Sequence, residues 1–157
     1  MNHALFLKQA EALISGEPDA LANAANLAAL LYQEWQGINW AGFYLRRDNE
    51  LVLGPFQGLP ACTRIPWGQG VCGTAAAQQL SQRIDDVHAF DGHIACDPVS
   101  ASELVVPLIH AGKVIGVLDI DSPHKAHFSV QDQACAEALV ELYIASMIRY
   151  PAQPPAW

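Results

Sequence analysis

Apolar residues in the first third of the chain recur at helical intervals: Leu5 and Leu13, then Leu21, Leu27, Leu30 and Leu31, spaced near a 3.6-residue period. Two amphipathic helices are expected, divided by Ser15-Gly16-Glu17-Pro18-Asp19, because Gly ends helices well and Pro tolerates only a first-turn position. The second helix should stop near Gly37. Beyond it the pattern changes: Ile38 to Leu45 is dense in aromatic and aliphatic residues, Arg46-Arg47-Asp48-Asn49 is a polar turn, and Glu50 to Leu53 resumes the apolar run, which reads as a hairpin. A third strand around Ala61 to Ile65 leads through Gly68-Gln69-Gly70 into a short helix from Val71 to Leu80. Glu103 to His110 and Lys113 to Asp121 flank a very short Ala111-Gly112 break and form a second hairpin. Ser129 to Arg149 is a long amphipathic helix, with Ser129 placed to cap it three residues before Asp132. Helices at both ends with about six strands between them predict an α+β domain, an antiparallel sheet with helices packed on it.

One segment fits neither period. Asp85 to Ser102 mixes Asp, His, Gly and Pro and is long for a connector, which favours a functional loop. The residues after Arg149 include three prolines in Pro151 to Trp157 and read as a flexible tail.

Composition narrows the class. A length of 157 residues suits one domain, and 52% hydrophobic with 15% charged residues is ample for a core that needs no staples. Eight Lys plus Arg against sixteen Asp plus Glu give a net charge of -8 with no basic run, so nucleic acid and anionic membrane are poor partners. No run of 18 apolar residues exists, and Lys8 and Glu11 stand where a signal peptide would be apolar; a cytoplasmic protein is expected. Four cysteines, Cys62, Cys72, Cys96 and Cys135, are then core thiols, metal ligands or redox groups.

Cys96 lies in the polar loop, in Asp91-Gly92-His93-Ile94-Ala95-Cys96-Asp97, where a packing role is least expected. Cys62 and Cys72 suit either a core or a functional role, and Cys135, between Ala134 and Ala136 of the last helix, suits packing. Spacings of ten and twenty-four residues without a CxxC pair do not resemble a zinc motif, so no metal is expected. A dithiol reductase needs a thiolate to attack an oxidised sulfur and a second thiol to reach the resulting sulfenic acid; Cys96 with Cys62 or Cys72 would suffice. Asp97 and Asp91 should raise the Cys96 pKa unless a protonated His93 offsets them. Asp119 and Asp121 are two apart on a strand and share a face. Glu103 joins them or turns away according to register: a three-residue loop sets it opposite Asp121, a two-residue loop does not. Trp40, between Asn39 and Gly42, offers a flat apolar wall to a small ligand.

Together these motifs resemble the free methionine-(R)-sulfoxide reductases, enzymes built on a GAF domain. The resemblance runs from about Ile38 to Ser122 and rests on Gly54-Pro55-Phe56-Gln57-Gly58, Ala61-Cys62, Gly70-Val71-Cys72-Gly73-Thr74, Asp91 to Asp97, Ser102-Glu103 and Gly116 to Ser122. It implies a single catalytic GAF domain over residues 1–150, followed by the Pro-rich tail 151–157. It further implies a nucleophilic Cys96, a resolving Cys62 and Cys72 as a secondary thiol. Trp40 would pack on the substrate methyl, while Glu103, Asp119 and Asp121 hold its polar groups, with Glu103 and Asp121 nearest the sulfoxide. No bound cofactor is implied; thioredoxin would be the external reductant and the chain a homodimer. The alternative is a ligand- or redox-sensing GAF module without turnover.

Overall fold

A computed structural model of the chain describes residues 1–149, so the Pro-rich segment 151–157 lies outside the described residues. Helices α1 (His3–Ile14) and α2 (Ala20–Glu34) start where short polar side chains accept first-turn N–H groups: Asn2 from Leu5 at 3.1 Å, Asp19 from Ala22 at 2.9 Å. Pro18 precedes the second cap, and α2 ends three residues before Gly37. Strands β1 (Trp40–Arg47), β2 (Glu50–Gly58) and β3 (Arg64–Pro66) lead to α3 (Gly70–Gln78) and β4 (Gln82–Ile84). After the long loop come β5 (Ser102–His110), β6 (Lys113–Ser122) and α4 (Val130–Arg149). Ser129 and Asp132 cap α4 reciprocally: Asp132 N–H donates to Ser129 Oγ at 3.1 Å and Ser129 N–H to Asp132 Oδ2 at 2.8 Å.

The fold is α+β, with one six-stranded antiparallel sheet in the order β3-β2-β1-β6-β5-β4. Helices α1, α2 and α4 cover one face, where Leu27, Leu31, Trp35, Phe43, Leu118, Ile120 and Tyr143 are buried together. On the other face α3 closes over Trp40, Tyr44, Ile65, Val105 and Val117. Covering both faces explains the unbroken apolar run of β1: Ala41 and Phe43 face the helical layer, Trp40 and Tyr44 the α3 side. Tyr143 OH donates to the Ala20 carbonyl at 2.9 Å, and His3 bonds Asp132 at 2.8 Å, tying α4 to α2 and α1. Among the described residues no helix is long and apolar enough to cross a membrane.

Three details differ from expectation. Strand β2 runs five residues beyond Leu53, and the third strand is shifted to Arg64–Pro66. Strand β4 is only three residues long, too short to show a period. The β5–β6 loop has two residues, Ala111 and Gly112, both at positive φ, and yet Glu103 pairs with Asp121. A β-bulge reconciles these: Leu108 pairs with Gly116 but Ile109 with Val114, so Ile115 is the extra residue that shifts the register by one.

Candidate active site

Register builds the site as a row across three strands. Trp40 on β1 pairs with Asp121 on β6, which pairs with Glu103 on β5, and in the next row Gly42 pairs with Asp119 and Asp119 with Val105. Side chains two apart share a face, so Trp40, Tyr44, Glu103, Asp119 and Asp121 converge on one cavity beneath the first turn of α3. That turn needs glycine: Gly68 and Gly70 sit at φ +79° and +64°, and a Cβ on Gly70 would stand 3.1 Å from Ile94. Val71, Cys72, His93, Ile94 and Cys96 are among the other lining residues. All seven residues singled out from the sequence thus meet here, save that Cys62 reaches the cavity through its bond to Cys96.

Cys62 and Cys96 form a disulfide with Cα atoms 5.2 Å apart. Cys72 and Cys135 are free and buried. Cys135 packs in the helical layer, where burial lifts its thiol pKa to about 11.

Trp40 is fixed by its neighbours. Its Nε1 donates to the Leu59 carbonyl at 3.1 Å, and its ring stacks on Phe56 (5.3 Å, 13°) and Tyr44 (5.8 Å, 26°). Gly42 makes that stack fit, since a Cβ there would lie 2.8 Å from Trp40 Cη2 and from Phe56 Cα. Tyr44 OH donates to the Cys62 carbonyl at 2.9 Å, tying the site floor to the Cys62 segment. Tyr44 and Phe56 went unnoticed in the sequence; Tyr44 has the parity of Trp40 on β1, which alternation would have revealed, whereas Phe56 reaches this face only through the register shift between β1 and β2.

The acids are crowded and dry. Glu103 is 7% exposed and Asp119 6%, with Asp121 half-buried. Burial, followed by the charges of Asp119 and Asp121, lifts Glu103 well above the carboxylate range; burial, then Asp119 and Asp97, does the same to Asp121. Asp119 rises only to about 6, because hydrogen bonds from Cys72 and Glu103 favour its charged form against burial. Of the three, Asp119 is the acid most readily ionised, and Glu103 and Asp121 are the more readily protonated. Cys72 Sγ lies 3.8 Å from Glu103 Oε1, and burial and the acids keep its thiol protonated. Asp119 Oδ1 is buried with no hydrogen-bond partner among the described residues.

The Asp85 to Ser102 loop is pinned at both ends. Val87 N–H donates to the Ala101 carbonyl at 2.9 Å, Ala101 N–H to that of Ser122 at 2.7 Å, and Lys125 pairs with Asp86 at 2.7 Å. Asp97, beside Cys96, accepts from Asn39 Nδ2 and from Val99 N–H, both at 2.9 Å. His93 stands with Nε2 3.9 Å from Glu103 Oε2, and burial, then His88, lowers its pKa. The ring is thus mostly neutral near pH 7 and supplies little charge to offset the acids beside Cys96. One further grouping has metal-ligand chemistry: Cys72, Glu103 and Asp119 offer donor atoms all within 4.8 Å of one another.

Residues 19–145 match the GAF domain. The chain is 57% identical over 129 residues to a free methionine-R-sulfoxide reductase of Escherichia coli, a match spanning 82% of this chain and 78% of that one. Among solved structures it resembles an fRMsr of Staphylococcus aureus in complex with its substrate (48% identity, TM-score 0.90, 94% and 96% of the two chains). It also resembles a free methionine-R-sulfoxide reductase of Neisseria meningitidis in complex with its substrate (44%, 0.91, 96% and 93%).

Proposed function

The chain belongs to the GAF family and, within it, to the free methionine-R-sulfoxide reductases, and from that premise we propose that it reduces free L-methionine (R)-S-oxide to L-methionine through a thiol–disulfide cycle. The observation that carries this reading is the meeting, in one cavity, of the Trp40–Asp121–Glu103 row with a Cys62–Cys96 disulfide.

The substrate brings an ammonium group, a methyl sulfoxide and a carboxylate. Asp119, the ionised acid of the cluster, takes the ammonium in a charge-assisted hydrogen bond. The Trp40 face packs on the S-methyl group. Glu103 and Asp121, the protonated pair, donate to the sulfoxide oxygen and polarise the S=O bond. Cys96 then attacks sulfur, the sulfoxide S–O bond breaks as the oxygen passes to the Cys96 sulfur with the one proton the thiol gave up, and the protons Glu103 and Asp121 share with the oxygen stay with the pair. Methionine leaves and the oxygen remains on Cys96 as a sulfenic acid. Cys62 displaces that oxygen as water, giving the disulfide, and thioredoxin returns both thiols by exchange. Cys72 is the secondary thiol: its position under Glu103 keeps it protonated and in reserve.

Exposed Leu5, Leu13, Leu21 and Tyr32 on α1 and α2 offer apolar surface for a homodimer. A cycle that consumes dithiols belongs in a reducing, cytoplasmic compartment. The test is methionine formation from each sulfoxide epimer, free and peptide-bound, with thioredoxin and its reductase. Turnover confined to the free R epimer is expected. Binding without turnover would instead make the chain a sensing module.

A further inference from the structure

We propose that the same cavity is a zinc site, in which Cys72 Sγ, an oxygen of Glu103 and an oxygen of Asp119 bind one Zn²⁺ and hold the cavity against substrate.

Geometry comes first. The three donor atoms lie within 4.8 Å of one another, and Cys72 Sγ is 3.8 Å from Glu103 Oε1. A tetrahedral zinc with a thiolate at about 2.3 Å and a carboxylate oxygen at about 2.0 Å sets an S···O edge of about 3.5 Å. Only a small contraction separates the pair from that edge. The donors come from three regular elements, α3, β5 and β6, whose packing holds them in place without a ligand.

An independent observation points to a cation. Asp119 is 6% exposed, lines the cavity, and leaves Oδ1 buried with no hydrogen-bond partner among the described residues. A carboxylate oxygen in that position accepts a proton donor or a metal and nothing else. Glu103, Asp119 and Asp121 line one cavity, and a divalent ion relieves the repulsion between carboxylates held so close.

Donor chemistry selects the metal. One sulfur and two carboxylates suit zinc, whereas calcium and magnesium require all-oxygen shells of six or more ligands. His93 Nε2, 3.9 Å from Glu103 Oε2, offers a further nitrogen donor beside the three. On binding, the S–H bond of Cys72 is replaced by S–Zn, and the thiol proton with any proton on Glu103 passes to solvent; no group is oxidised or reduced. Sequence spacing hid the site, since its ligands lie thirty-one and sixteen residues apart, far from any paired-ligand pattern.

The metal site stands on ligand geometry alone. Its competition with sulfoxide rests on the proposed function, because zinc and the substrate ammonium both need Asp119. The test uses the protein with its Cys62–Cys96 disulfide intact, so that Cys72 and Cys135 are its only thiols. Zinc is titrated against a chromophoric chelator, and Co²⁺ is added separately to read thiolate ligation from its near-ultraviolet charge-transfer band. One ion per chain and a clear band are expected in the wild type and in Cys135→Ser. Cys72→Ser should lose the band, and Cys72→Ser and Asp119→Asn should each weaken zinc at least about tenfold; Glu103→Gln, nearly isosteric, serves where either variant fails to fold. Wild-type affinity in these variants, a band that survives Cys72→Ser, or no stoichiometric binding would overturn the proposal. Zinc binding without inhibition of methionine formation would leave the metal site standing and remove only the competition.

Discussion

Asp119→Asn should make the protein more stable and less active, and the gain in stability should depend on pH. In the folded chain Asp119 titrates at about 6, against 3.8 for an ordinary aspartate. The folded pKa is raised, so the unfolded chain releases this proton first as pH rises. Folding is therefore penalised progressively between pH 3.8 and 6, fully above 6, and not at all below 3.8. A gap of roughly two pKa units corresponds to about 3 kcal/mol, which in a chain of this size is on the order of 6–12 °C in Tm. Asn keeps the shape and removes the charge. Thermal unfolding followed by circular dichroism, disulfide intact, should show the variant melting higher near pH 7.5 and level with wild type near pH 4. Its kcat/KM for free methionine sulfoxide should fall about 10- to 100-fold, the worth of a hydrogen bond to a charged group. A variant less stable than wild type near pH 7.5, or equally stabilised at both pH values, would refute a buried charge as the source of the penalty.

Other perturbations follow from the same geometry. Trp40→Ala removes a buried, doubly stacked ring and should cost about 3–5 kcal/mol in urea unfolding while raising KM; Trp40→Phe should keep most of both. Gly73→Ala places a Cβ 2.6 Å from the Pro66 carbonyl oxygen, so α3 must shift, lowering Tm and kcat/KM together although the residue touches no reacting group. Cys62→Ser should still yield one methionine per chain, with a sulfenic acid on Cys96 detectable by dimedone mass spectrometry and a Cys72–Cys96 disulfide forming more slowly.

Much of this architecture is written in local pattern. The Ser129 cap, the helical character of the first third and the shared face of Asp119 and Asp121 are properties of neighbouring residues and appear in the structure as read, although Leu5, Leu13 and Leu21 of the apolar period stand exposed and Phe6, Ala10, Ile14, Leu27 and Leu31 form the buried face. What depended on distant pairing was less visible. The position of Glu103 turned on a bulge at Ile115, and one extra residue in a strand leaves no compositional trace. Strand β4 exists because β5 offers it an edge, not because Gln82-Arg83-Ile84 has a pattern of its own. At the site, the cysteines and acids were legible as residue types with suitable chemistry, but the support of Trp40 by Phe56 over Gly42 emerges only when β1 and β2 are paired. The neutral state of His93 likewise comes from burial against the loop, which sequence does not report.

The central claim is that Cys96 takes oxygen from free methionine sulfoxide and Cys62 closes the cycle. A single-turnover reaction tests it most directly: the fully reduced chain is mixed with excess free methionine (R)-sulfoxide without reductant, and methionine and disulfide are measured together. One methionine per chain and a Cys62–Cys96 disulfide are expected, with none of either from Cys96→Ser. Absence of methionine from the wild type, or an undiminished yield from Cys96→Ser, would contradict it.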